Sequence, residues 1–548
     1  MAIVDINRKL FEKEIGKLDE KMQEKITMLG TPIEKLTKDE LQVEISPNRP
    51  DLLSYHGLKR ALLAFLDRKT GLQKYRIKRS KETYSVIVND SLKEIRPYTS
   101  CAVIKGLRLN SEKIKEIIEI QEKLHLTLGR KRKKFAIGIY PLDEIKFPVH
   151  FTALEPDKIK FIPLESEREM SGLEILQRHP AGKEYADLLA GKTKFPIFID
   201  SENKILSMPP VINSKTTGRV TEKTRDIFVE CSGFDRKVLD KCINILASMF
   251  ADMGGAIHEV EMSHGSEKKP SPNLETEKME INSARINTLL GLNLKEEEIK
   301  KLLERMGYGY SKGVVEIPPW RIDILHEVDI GEDIAIAYGY DKFIPEIPPI
   351  SSIGAENPHE SVKRKAAEIL SGLGMLEVSN YHLTTKREQF ENMGEKIKPE
   401  IIEVENSKTD YNILRENLSH YLMKILSENV NNDFPQKIFE IGKVFSIKND
   451  MLHEHENLAI AISPGNFTEL RQAASYLFRM LGIEIRFEEP KETPGWIING
   501  RAASFAIEKE IIGYIGEVHP KILKNWKARM PVAILEVSFD KILEKIHL

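Results

Sequence analysis

The stretch IPPWRIDILHEVDIGEDIAIAYGYDKF, Ile317 to Phe343, is the most informative part of the chain. VVEIPP, from Val314, reads as a strand, and the residues after His326 read as a helix that ends at Gly339. Asp329, Glu332 and Asp333 stand at i, i+3 and i+4, a spacing that predicts carboxylates on one helix face. Asp323, six residues before Asp329, falls at the strand-to-helix junction and can fold back onto that face. Ile330, Ile334, Ala337 and Tyr338 form the opposite, apolar stripe. Two physical readings follow. Like charges at this spacing repel, so a cation is one reason to keep them together, and an oxygen-only set suits Mg²⁺. Acids in a first helical turn also offset the helix dipole and cap free N–H groups, with no metal involved.

Outward from this stretch, 548 residues at roughly 150 per domain predict three to four domains. A chain that is 41% hydrophobic and 30% charged is globular rather than disordered. Lys and Arg number 82 against 84 Asp and Glu, which excludes a uniformly basic nucleic-acid coat but leaves room for local patches. The three cysteines, Cys101, Cys231 and Cys242, form no CxxC pair, so a disulfide framework and a thiolate zinc site are not expected. No signal-peptide core opens the sequence and no apolar run reaches 18 residues. The expectation is a cytoplasmic protein with no membrane association.

Two polar, proline-bearing segments read as linkers: SHGSEKKPSPN (Ser263–Asn273) and PEIPPISSIGAENP (Pro345–Pro358). A weaker boundary falls near Ser80. The domains expected are therefore 1–85, 86–265, 271–348 and 354–548. Helices are predicted over Leu58–Leu66, Leu294–Met306 and Glu112–Leu128, the last with Ile114, Ile117, Ile118 and Leu124 near one stripe. VHFTAL, FPIFID and DIFVEC read as strands. The fold class expected is α+β and multidomain, with antiparallel sheets. Phosphate-loop, HExxH, GxSxG and Rossmann signatures do not occur. Lone histidines such as His125 and His382 read as surface or core residues.

WRIDILHEVDIGEDIAIAYGYDKF closely resembles the B5 domain of the β subunit of phenylalanyl-tRNA synthetase. The match runs through Asp323, Asp329, Glu332 and Asp333 and the A-Y-G-Y tail, Ala337–Tyr340. ISPNRPDLLSYHGLKRAL (Ile45–Leu62) resembles the family's N-terminal signature. ILSMPPVINSKTTGRVTEKTRDIFVECSGFD (Ile205–Asp235) is similar to the B3/B4 editing module of archaeal and eukaryotic members. GYIGEVHPKIL (Gly513–Leu523) fits the family's C-terminal end. Three motifs in the family's order cover most of the chain.

The resemblance implies a B3/B4 editing-like module, a small winged-helix-like B5 domain and a catalytically inactive class II synthetase-like domain. The last would span Gly354–Leu548, which has no G-x-G-x-x-x-G-x-E-R stretch for ATP; Arg415 is either an echo of a class II element or a surface arginine at a helix start. It further implies Mg²⁺ at Asp323, Asp329, Glu332 and Asp333, shared with an α subunit. The assembly would be an (αβ)₂ heterotetramer acting on tRNA(Phe), L-phenylalanine and ATP, with ATP bound on the α subunit. Editing of Tyr-tRNA would fall to this chain, at Ser207, Glu230 and Ser232 with Phe198 in the pocket wall. Some archaeal relatives carry Asp and Thr where this chain has Glu230 and Ser232, so the reach of the acid differs by one methylene. The alternatives are a tRNA-binding scaffold with an inactive editing module, a free-standing deacylase and, for Glu230, a surface acid at a strand end. The basic runs GRKRKKFAIGIY (Gly129–Tyr140) and KYRIKRSK (Lys74–Lys81) are candidates for phosphate contact or plain solvated loops.

Overall fold

A computed structural model describes residues 2–79, 83–348 and 350–546. The boundary expected near Ser80 and the end of the Lys74–Lys81 run lie outside the described residues. The chain divides into two compact units, Met1–Ile347 and Pro348–Leu548.

In the first unit, the helix Tyr55–Phe65 buries Leu58, Leu62 and Phe65 and packs chiefly against the helix Arg236–Asp252. The helix begins where Ser54 Oγ accepts from Gly57 N–H (3.0 Å). Gly57 is required there, because a Cβ would sit 2.0 Å from the Asp51 carbonyl oxygen. The helix Ser111–Leu126 buries Ile117, Ile120 and Leu124. Ile118, expected on that stripe, is 57% exposed. At 100° per residue, Ile120 rather than Ile118 completes the i, i+3, i+7 face.

Two sheets form a sandwich in this unit. One has four strands in the order Ala256–His258, Tyr98–Lys105, Ile227–Gly233, Phe135–Pro141, all antiparallel. The other has seven, ordered Ile212–Asn213, Ile205–Met208, Phe195–Ile199, Val149–Leu154, Ser85–Val88, Val260–His264, Glu267–Ser271. Within it Ser85–Val88 pairs in parallel with both neighbours. Alternation along Ile227–Gly233 sends Ile227, Val229 and Cys231 to a core shared with the helix Arg236–Asp252, and Phe228 to the core between the sheets. The stretch expected as a linker at 263–273 contains the edge strand Glu267–Ser271, in a hairpin turned at Gly265 (φ +58°). An edge tolerates the proline and charges that made it read as a linker.

The second unit carries a seven-stranded sheet, antiparallel except where Leu376–Glu377 joins Gln436–Lys448. No helix among the described residues is long and apolar enough to cross a membrane. Gly57→Ala should lower stability by about 1–3 kcal/mol, the range of overpacked sites. Gly372→Ala, where a Cβ meets nothing within 4 Å, should be close to neutral. Thermal melting of the two full-length variants checks the contrast.

Candidate functional site

The four acids of the B5-like stretch divide into three environments. Arg321, fully buried, donates through Nε and Nη2 to both oxygens of Asp323 (2.8 and 2.7 Å). Its Nη2 also lies 2.8 Å from Asp333 Oδ2, and the Tyr308 hydroxyl donates to that same carboxylate. Asp333 is 4% exposed, so it points into the core while its neighbour Glu332 faces solvent. Asp329 Oδ2 accepts from the backbone N–H groups of Leu325 and His326 (both 2.8 Å), closing the start of the helix Glu327–Tyr338. Ile330, Ile334 and Ala337 are buried as the apolar stripe predicts.

The shared acidic face expected from the spacing is therefore not formed. Two of the carboxylates are neutralised by Arg321, one caps a helix, and one is free in solvent. No group of three or more His, Cys, Asp or Glu converges on a cation position among the described residues. As folded, this set does not fit a single divalent ion. Repulsion between Asp323 and Asp333 is offset by the Arg321 guanidinium that both contact. Asp333→Asn should cost about 3–5 kcal/mol, the usual loss when one partner of a buried pair is removed. Melting should drop equally in EDTA and in Mg²⁺; a loss confined to the Mg²⁺ sample would return the metal role.

The second constellation lies inside the sandwich. Phe198 and Ser207 come from adjacent strands of the seven-stranded sheet and are directly paired. Glu230, from the four-stranded sheet, pairs with Cys101 on one side and Gly138 on the other. All four candidates, Phe198, Ser207, Glu230 and Ser232, are buried to 1% exposure or less. That overturns the strand-end surface reading of Glu230. Between Ser207 and Glu230 stands a residue the sequence did not single out. The Tyr140 hydroxyl is 2.8 Å from Ser207 Oγ and 3.2 Å from Glu230 Oε1. Its ring stacks on Phe228 (centroids 6.0 Å apart), and Phe198 stacks on Phe151 (4.2 Å). Arg96, also missed, donates to Ser232 Oγ (3.1 Å) and Ser232 O (2.6 Å). Alternation in AIGIYP marks Tyr140 as inward-facing, but no local signal ties it to Ser207 or Glu230.

Burial pushes the Glu230 carboxyl up to about 8, against the pull of Arg96, Tyr140 and Ser232. Burial likewise draws Arg96 down to about 10, with Glu230 opposing. At neutral pH Glu230 thus carries a proton, and its Oε2 has no hydrogen-bond partner. The folded carboxyl holds its proton more tightly than the unfolded one. Its contribution to stability is therefore full below about pH 4.5 and is lost as pH rises through about 8. Glu230→Gln should remove most of that loss, so urea midpoints measured at pH 6 and pH 9 should converge in the variant and diverge in the parent.

In the second unit Arg415 is buried, donating from Nη1 to Glu440 Oε1 (2.6 Å) and from Nε to the Lys443 carbonyl (2.7 Å). It is neither a surface arginine nor free to meet a ligand. A cleft of about 630 Å³ against the strands Met451–Ser463, Glu510–Val518 and Ala533–Ser538 is lined by Glu395, Glu416, Glu492, Glu510 and Glu536, with three lysines and no arginine among the described residues. In the basic run, Arg130, Lys131, Lys133 and Lys134 are exposed. Arg132 turns inward to the carbonyls of Pro210 (3.2 Å) and Val211 (2.9 Å). His125 is a core histidine whose Nε2 accepts from Ile137 N–H (2.8 Å).

Three family models match: a B3/4 domain over 99–246, a tRNA synthetase B5 domain over 279–340 and a phenylalanyl tRNA synthetase beta chain CLM domain over 344–539. A phenylalanine–tRNA ligase beta subunit from Archaeoglobus fulgidus is 37% identical, with 98% of each chain covered. One from Methanosarcina barkeri is 35% identical over 99% of each. An N-terminal fragment of the phenylalanyl-tRNA synthetase beta-subunit from Pyrococcus horikoshii is 36% identical, with a TM-score of 0.59, covering 62% of this chain and all of that one. The mixed α/β, multidomain chain belongs to the β-subunit family of phenylalanine–tRNA ligase, an aminoacyl-tRNA synthetase.

Proposed function

We propose that this chain is the partner-dependent β subunit of an (αβ)₂ phenylalanine–tRNA ligase in the cytoplasm, with Phe-AMP and Phe-tRNA made on the α subunit and Tyr-tRNA(Phe) hydrolysed on this one. Inactivity of the 348–548 unit in synthesis is supported by its cleft. Five glutamates outnumber three lysines there, no arginine offers a bidentate phosphate contact, and Arg415 is held by Glu440, a lining that disfavours a triphosphate. ATP and Mg²⁺ enter this reading as the substrate and the ion that the family resemblance implies for synthesis on the α subunit. No step on this chain is routed through the metal, because the acids around Arg321 do not fit it. Exposed Arg130, Lys131, Lys133 and Lys134 are the proposed phosphate-gripping residues for tRNA.

The observation that carries the editing reading is a polar group in an apolar sandwich: Glu230 with one oxygen unpartnered, beside Ser207. An apolar phenylalanine pocket rejects an added hydroxyl by only about 10²-fold, so tyrosine leaks into synthesis. A second site built to hydrogen-bond that hydroxyl rejects the analogue lacking it by about 10⁴–10⁵. Ser207 and Glu230 provide such a site, with Phe198 against the ring. Glu230, protonated at neutral pH, reads the hydroxyl rather than activating water. Hydrolysis then falls to a positioned water. Full burial of all four residues favours a second reading, a tRNA-binding subunit whose sandwich site is closed.

Two assays on the αβ complex and its parts test the proposal. The isolated chain should give no phenylalanine-dependent pyrophosphate exchange. Glu230→Ala in the complex should cut Tyr-tRNA hydrolysis about tenfold or more and leave Phe-tRNA synthesis nearly intact. Hydrolysis at the parental rate would remove Glu230 from the site.

A further inference from the structure

The Tyr140 side chain makes the contacts that a tyrosyl substrate would need. Its hydroxyl reaches Ser207 Oγ and Glu230 Oε1, groups on opposite sheets, and its ring lies against Phe228. The room for it comes from Gly138, two residues back on the same strand and paired with Glu230. A Cβ on Gly138 would meet the Tyr140 hydroxyl oxygen at 2.1 Å and Glu230 Oε1 at 2.5 Å. The strand thus carries a phenol and, beside it, the absence of side chain that lets the phenol fold over. Tyr140 is wholly buried, and Glu230 Oε2 remains without a partner next to it.

We infer that Tyr140 is the built-in occupant of the Ser207–Glu230 site proposed above, accommodated by Gly138 and holding that site shut until a substrate phenol takes its place. This inference rests on the editing reading. Exchange of one phenol for another conserves both hydrogen bonds, so tyrosine enters without leaving a buried polar group unpaired. A phenylalanyl group would displace Tyr140 and leave Ser207 and Glu230 unsatisfied in a dry core. Because the closed state precedes both substrates, Tyr140 lowers the competent fraction for each by the same factor. It therefore sets the absolute rate of hydrolysis, protecting correct Phe-tRNA, while Ser207 and Glu230 set the ratio.

Tyr140→Phe keeps the ring and removes the hydroxyl. It should raise kcat/KM for Tyr-tRNA hydrolysis by the αβ complex about tenfold, mainly through KM, and raise Phe-tRNA hydrolysis by the same factor. A residue with a purely structural role would not accelerate either. Tyr140→Ala leaves a cavity of the ring's shape. Phenol should raise its melting temperature and benzene should raise it much less, while neither should shift the parent. Where the alanine variant does not fold, the phenylalanine variant carries the test alone. Equal shifts by phenol and benzene would overturn Tyr140 as the occupant of a phenol site. Unchanged or slower hydrolysis by Tyr140→Phe, in a complex whose parent hydrolyses Tyr-tRNA, would overturn the gate and leave editing standing. No hydrolysis by parent or variant, with phenol still selective over benzene, would end the editing reading and the gate that rests on it.

Discussion

A buried guanidinium organises the first unit. Arg321 costs several kcal/mol to remove from water, and the fold must return that through partners placed around it. Asp323 and Asp333 supply the charges, and Tyr308 orders the second of them. The network extends beyond the B5-like stretch. Burial would raise the Asp51 carboxyl, but Arg49, Arg321 and Arg60 outweigh it and hold it below its ordinary value. Arg49 grips Asp51 through two bonds of 2.9 Å. The N-R-P-D segment and the W-R-I-D segment, some 270 residues apart in sequence, thus belong to one charge system. Next to it, the Arg60 guanidinium lies 4.2 Å from the Trp320 ring centre and binds Asp252 (2.6 Å). These pairs tie helix Tyr55–Phe65, helix Arg236–Asp252 and the loop before Glu327 together.

The sandwich core obeys the opposite logic. Here a carboxyl is buried without a full counter-charge, and protonation removes most of the cost. Arg96 stands near enough to pull against that protonation but spends its own hydrogen bonds on Ser232. A neutral acid with a spare oxygen in an apolar surround is a poor stabilising device and a good recognition device. The same low dielectric that raises its proton affinity sharpens its discrimination between a partnered and an unpartnered neighbour.

Much of this was legible from residues in a row. The short apolar stretches VHFTAL, FPIFID and DIFVEC read as strands and form Val149–Leu154, Phe195–Ile199 and Ile227–Gly233, and the acid-led helix Glu296–Arg305 forms where its first turn predicts. The three motifs announced the family before any geometry was considered. Composition misled at Ser263–Asn273, because an edge strand and a linker share the same polar, proline-bearing character.

What the sequence by itself determined is the order of elements, the faces within each and the family to which they belong. Only the tertiary structure decided which faces meet. Tyr140 lies 67 positions from Ser207 and 90 from Glu230, and no local period spans such distances. Asp333 and Glu332 are adjacent in the chain, yet one is buried against Arg321 and the other faces water. Arg415 looks like any helix-start arginine until Glu440 and the Lys443 carbonyl close on it. A side chain's direction is set by its own backbone, but its charge state and its role are set by whatever the fold brings opposite it. In a low-dielectric interior that opposing group, rather than the spacing of like residues, decides between repulsion, pairing and recognition.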